Sequence, residues 1–131
     1  MKSLLQEALN ARQKAYAPYS NFKVGAAIEL KNHTIIHGAN VENASFGLTS
    51  CAERNALFSL YSQGYTKEDI VSITIVAEDK NPVSPCGACR QVMHELMPKH
   101  TKIYLANTKG DIKETTLEEL LPYAFVLEEH V

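Results

Sequence analysis

Four side chains carry the chemistry legible in this chain: Cys51, Glu53, Cys86 and Cys89. Cys86 and Cys89 form a Cys-x-x-Cys, which on the first turn of a helix sets both thiols on one face. Cys51 stands 35 residues before Cys86 and opens another helical stretch, with a strand-like run between them. In an α/β sheet, helix N-termini sit beyond the carboxyl ends of strands, so the three sulfurs can meet there. Three thiolates without an evident fourth protein ligand match a catalytic zinc that keeps one position open for water, whereas a structural zinc wants four. A redox dithiol and a buried filler are the competing readings of a Cys-x-x-Cys. Thioredoxin-like chemistry leaves Cys51 unexplained and has no need of Glu53.

A carboxylate two residues after a thiol at a helix start is ordinarily a first-turn acid that suits the helix dipole. Beside a zinc-activated water it becomes a proton shuttle. Side chains two apart point to opposite faces of a regular helix, so Cys51 is expected on a first turn that is not yet helical. Three thiolates leave zinc with net negative charge, and its water should be less acidic than on a histidine-ligated zinc, where the pKa is about 7. Two helix N-termini aimed at the sulfurs offset this by about 0.3–1 kcal/mol each. Arg54, three residues after Cys51, can add charge-assisted hydrogen bonds of about 1.5–3 kcal/mol from behind the ligands. Arg90 is the rival for that place. Of the five histidines, His33, His37, His100 and His130 fall in loops, strand edges or the tail, and His94 lies mid-helix. All are read as surface or packing residues.

The elements that must position these groups follow from pattern. Leu5, Ala8, Leu9 and Arg12 recur at helical spacing over residues 3–15, with Ser3 as cap and Pro18 as block. Phe22–Leu30 and Thr34–Ala39, separated by Lys31-Asn32-His33, read as a hairpin. Cys51–Gln63 reads as a helix capped by Thr49 or Ser50 and ended by Gly64. Val71–Ala77 is a buried strand. Ser84 and Pro85 suit the cap and first position of a helix that runs through Val92, Met93, Leu96 and Met97 to Pro98. Lys102–Ala106 is a further strand and Leu117–Leu121 a short helix. Strands separated by helices imply right-handed crossovers and a parallel portion of sheet joined to the opening antiparallel hairpin. The expected architecture is α/β, a three-layer α-β-α sandwich around a mixed sheet.

The 131 residues suit one domain spanning 1–131, and 45% hydrophobic with 21% charged residues argues against disorder. A net charge of −2 gives no basic footprint for nucleic acid. The longest apolar run, Ile70–Ala77, is broken by Ser72 and Thr74, so no bilayer span is expected. The opening residues reach Glu7 too soon for a signal-peptide core. An odd number of cysteines without an export signal is a poor disulfide framework, and a cytoplasmic location is expected.

The joint pattern Cys51-Ala52-Glu53 with Pro85-Cys86-Gly87-Ala88-Cys89 resembles the zinc nucleoside-deaminase signature in its three-cysteine form. Tyr19-Ser20-Asn21-Phe22-Lys23-Val24-Gly25-Ala26-Ala27 and Asn40-Val41-Glu42-Asn43-Ala44-Ser45 resemble two further motifs of the small, homotetrameric cytidine deaminases. That resemblance runs from about Leu5 to Phe125. It implies one Zn2+ per subunit on Cys51, Cys86 and Cys89, Glu53 as catalytic acid–base, and Arg54 behind the ligands. It also implies that Asn40 and Glu42, flanking Val41, hold the ribose, that Phe22 stacks on the pyrimidine, and that the Ala52 N–H meets the base carbonyl. Phe125 matches an aromatic lent to a neighbouring subunit. The implied reaction is hydrolytic deamination of cytidine and 2′-deoxycytidine in pyrimidine salvage, within a homotetramer and without nucleic acid or membrane as partner. A nucleoside antibiotic such as blasticidin S is the alternative substrate; a base in single-stranded nucleic acid fits neither the Asn40–Asn43 segment nor the acidic balance. A non-catalytic zinc or redox module is the reading from another class. The chain departs from the family pattern at Phe46, where tyrosine is frequent, at Asn55, where threonine is common, and at Tyr123, where glycine is often found. None of the three is expected to touch the catalytic set.

Overall fold

The computed structural model describes residues 2–127. Helix α1 (Lys2–Arg12) leads into β1 (Val24–Leu30) and β2 (Ile35–Ala39), then α2 (Ala52–Ser62), β3 (Ile70–Ala77), α3 (Gly87–Leu96), β4 (Lys102–Asn107), β5 (Ile112–Thr115) and α4 (Leu117–Leu120). The strands form one sheet in the order β2-β1-β3-β4-β5. Only β3 and β4 pair in parallel, in register from Ser72 opposite Lys102 to Ala77 opposite Asn107; the other neighbours are antiparallel. The parallel pair is the one joined through α3, as a crossover requires.

Strand alternation sends successive side chains to opposite faces and so builds two cores. Ala26, Ile28, Ile73, Ile75, Ile103 and Leu105 pack on Ala56, Leu57 and Leu60 of α2 and Met93 of α3. Ala27, Val76 and Ala106 pack on Leu4 and Ala8 of α1. The sandwich is therefore three-layered as expected, with the α1 side built from smaller residues. Two glycines set how close the helices come. A methyl at Gly25 would lie 2.1 Å from the Ala8 carbonyl oxygen, and one at Gly38 would lie 2.3 Å from the Ala52 carbonyl oxygen and 2.6 Å from the Ala56 nitrogen. Backbone cannot yield locally, so Gly38→Ala should push the start of α2 off the sheet and destabilise the fold by about 1–3 kcal/mol. A denaturant midpoint unchanged from the parent would contradict this. No helix among the described residues is long and apolar enough to cross a membrane.

Three local expectations need correction. Cys51, not Thr49 or Ser50, is the N-cap of α2, and α3 begins at Gly87 with Cys86 as its N-cap, after Ser84 and Pro85. The serines are employed elsewhere: the Ser50 hydroxyl donates to Asn55 Oδ1 at 2.6 Å, and the Ser84 hydroxyl accepts from Arg90 at 2.7 Å. Strand β5 was also not expected. Its Ile112, Lys113 and Glu114 are all exposed along the sheet edge, which leaves no apolar alternation to read. Helix α1 stops at Arg12, several residues before Pro18.

Candidate active site

Both N-cap cysteines have extended backbone, Cys51 at φ −78 and ψ 157 and Cys86 at φ −71 and ψ 167. Cys51 therefore lies outside the helical geometry, which frees it from the opposite-face constraint on a residue two before Glu53. Neither side chain makes a capping hydrogen bond. With Cys89, on the first turn of α3, they bring three sulfurs within 4.8 Å of one another at the positive ends of two helices. A tetrahedral zinc with Zn–S bonds of about 2.3 Å needs sulfurs about 3.8 Å apart, which small side-chain rotations can reach. No histidine or carboxylate joins the cluster among the described residues, and His130 lies outside them. The donor set thus fits one zinc ion with a position left open.

The electrostatics favour anionic sulfur. Hydrogen bonds from the Cys89 thiol and from Arg54 hold the Cys51 pKa down to about 5. Cys89, as donor in that pair, is pushed up. Arg54 Nη2 stands 3.4 Å from Cys51 Sγ, and this contact raises the pKa of a guanidinium that is charged in any case. Arg90 spends its guanidinium instead on the Pro85 carbonyl at 2.9 Å, the Leu120 carbonyl at 2.7 Å and Ser84, bracing the loop before Cys86. Glu53 is 4% exposed, and its burial, followed by the nearby Cys51 charge, raises its pKa.

A cleft of about 340 Å3 opens nearby, lined by Tyr19, Ser20, Glu42, Asn43, Phe46 and Thr49. The thiols and Glu53 are not among its walls. The two regions are joined by a backbone bridge, in which Val41 and Ser50 each donate to the other's carbonyl at 2.9 Å, one residue before Cys51. Asn40 is buried; its amide donates to the Phe22 carbonyl at 2.9 Å and accepts from the Val24 N–H at 2.8 Å, fixing the entry to β1. Glu42 accepts from the backbone N–H of Tyr19 at 3.0 Å, that of Ser20 at 3.1 Å, and the Ser20 hydroxyl. The hydroxyl contact is the main reason its pKa is lowered. The side chains of Val41 and Phe22 are exposed.

Phe125 does not reach this cleft. It lines a separate surface depression with Lys67, His94 and Glu95, its carbonyl accepting from Gln91 Nε2 at 3.3 Å. Phe46, 76% exposed, stands edge-on to Tyr19 with ring centroids 6.4 Å apart. Tyr123 is fully exposed at φ 56, a backbone region that favours glycine. Sequence reasoning assigned no role to Ser20, and its lone hydroxyl in a loop carries no signal of the grip on Glu42. Asn55 contacts no cysteine side chain, yet it binds Ser50, next to Cys51, and the Ala39 carbonyl.

Residues 1–105 match the family model described as the cytidine and deoxycytidylate deaminase zinc-binding region. A cytidine deaminase of Halalkalibacterium halodurans is 59% identical over 96% of this chain and 94% of its own length. One from Sporosarcina psychrophila is 46% identical over 98% of this chain and 93% of its own. The crystal structure of the Burkholderia pseudomallei cytidine deaminase superposes with a TM-score of 0.92 at 51% identity, covering 95% of this chain and 98% of that one. With the thiol cluster, the buried glutamate and the mixed five-stranded sheet in place, the chain belongs to the cytidine and deoxycytidylate deaminase family.

Proposed function

We propose that the chain, acting as one catalytic domain, hydrolyses cytidine and 2′-deoxycytidine to uridine and 2′-deoxyuridine with release of ammonia. The observation that carries the reading is the buried Glu53 set against three thiols at two helix N-termini. Cys51, Cys86 and Cys89 hold one zinc, which when bound supplies a Lewis acid that makes a water nucleophilic near neutral pH. Glu53 accepts a proton from the attacking water and returns it to ring N3 as the new C4–O bond forms. It then takes the proton of the new C4 hydroxyl and passes it to the amine, so that the C4–N bond breaks, ammonia leaves and the carbonyl forms. Burial suits this traffic, because it brings the carboxyl pKa closer to the working range of a proton shuttle. Arg54 offsets thiolate charge behind the ligands.

Glu42 and Asn40 hold the ribose hydroxyls, Val41 flanks them, Phe22 stacks on the pyrimidine, and the Ala52 N–H meets the base carbonyl. A carboxylate and an amide form a donor–acceptor pair suited to a diol. Support comes from the lowered pKa of Glu42, which keeps it an acceptor, and from the open cleft beside it. Phe125, 69% exposed in the depression beside His94 and Glu95, completes a neighbouring subunit's site in a homotetramer. Free thiol ligands fit a reducing cytoplasm, and the reaction fits nucleoside salvage.

The test is to follow the ultraviolet spectrum of cytidine with purified protein while measuring its zinc. Turnover at one zinc per chain is expected; no turnover at that loading overturns the substrate. Phe125→Ala should raise the KM for cytidine about tenfold, the loss of about 1.4 kcal/mol of aromatic contact, with zinc content unchanged. An unchanged KM in the assembled protein would argue against a shared site.

A further inference from the structure

Asn55 sits one turn into α2, half-buried, with every polar group of its side chain engaged. Its Nδ2 donates to the Ala39 carbonyl at 2.7 Å and to the Ser50 carbonyl at 3.4 Å, while Oδ1 accepts from the Ser50 hydroxyl at 2.6 Å. Its own N–H donates to the Cys51 carbonyl at 3.0 Å. Ala39 ends β2 and leads directly into Asn40, Val41 and Glu42; Ser50 leads directly into Cys51. One amide therefore ties together the chain segment that leads into Asn40–Glu42 and the one that leads into Cys51.

Resting on the function proposed above, we infer that Asn55 is a positioning residue that fixes the segment holding the nucleoside against the start of α2, which carries Cys51 and Glu53. The Val41–Ser50 bridge holds the same two segments one step further along, but through backbone alone. Gly38 gives the approach its closeness, since α2 backbone lies where its side chain would be. Asn55 gives it direction. Its partners are polar and lie at the rim, so its loss removes alignment more than core packing. Misplacement by about 1 Å costs reactions of this kind about a hundredfold, and partners standing behind metal ligands are worth about tenfold to a hundredfold.

The experiment compares the parent with Asn55→Ala, Asn55→Leu and Asn55→Thr, each loaded with zinc for kinetics and with cobalt(II) for absorption spectra. Alanine and leucine should lower kcat/KM for cytidine about tenfold to a hundredfold, with kcat falling by more than KM rises, because Glu42 is held by Tyr19 and Ser20 rather than by Asn55 and keeps its place for the sugar. The thiolate-to-cobalt bands should shift. Threonine restores one hydroxyl, hence one of the two ties, and should recover part of both signals. A lowered melting temperature with unchanged kcat, KM and cobalt spectrum in the folded variants would overturn the inference and leave Asn55 a structural residue. If the parent itself fails to turn over cytidine, the proposed reaction is what fails, and the cobalt spectra alone then decide on Asn55: shifted bands support the inference and superimposable bands overturn it.

Discussion

Glu53→Gln is expected to keep one zinc per chain and the folded structure while lowering kcat for cytidine about a thousandfold or more. The amide matches the carboxylate in size, so the site beside Cys51 and Cys89 stays filled. Burial already disfavours the charge of Glu53, so neutralising it costs the fold little. In the proposed reaction what disappears is the ability to take two protons in turn from the attacking oxygen and hand one to the ring and the other to the amine. A single acid–base step of this sort is worth about a hundredfold to ten-thousandfold, and here one group serves two transfers. Spectrophotometric turnover with zinc measured on the same samples decides the matter. A variant working within tenfold of the parent would remove Glu53 from the chemistry.

Cys89→Ala should abolish both zinc retention and activity. Cys89 is fully buried and stands within 4.8 Å of both other sulfurs, so its removal leaves two thiols, one of them exposed. The zinc contribution to stability goes with it. A metal that binds the folded state at a thousand times its Kd adds about 4.1 kcal/mol, so the parent's melting temperature should rise on adding zinc and fall with a chelator. The variant's should respond to neither. One zinc per chain in Cys89→Ala, measured after dialysis, would mean that the ligand set is other than the three cysteines.

Much of this site is legible in the sequence because its constraints are local. A spacing of two from Cys51 to Glu53 forces the thiol out of regular helix, and the structure shows extended backbone there. A spacing of three from Cys86 to Cys89 brings them together on one turn. The Ile and Val run of β3 and its helical link to β4 announce the parallel pair. Other features depend on partners far along the chain. Ser50 and Ser84 have the composition of helix caps, but Asn55 and Arg90 claim their hydroxyls, and the cysteines take the cap positions. The antiparallel pairing of β1 with β3 places the hairpin beside the parallel pair, and no periodicity encodes which edge it joins. Strand β5 is edge backbone with solvated side chains, so nothing in Ile112-Lys113-Glu114-Thr115 announces it.

The placement of the three thiols on two helices, with β3 between, also bears on how the protein is made. Cys51 leaves the ribosome 38 residues ahead of Cys89. At about 5–20 residues per second, that interval lasts about 2–8 seconds. During it the β1–β2 hairpin and α2 can form, but the thiol at the start of α2 has no companions. The three-thiol cluster consequently cannot exist until Cys89 has been made and α3 has docked, and a chain stalled before that point carries Cys51 without its two companions.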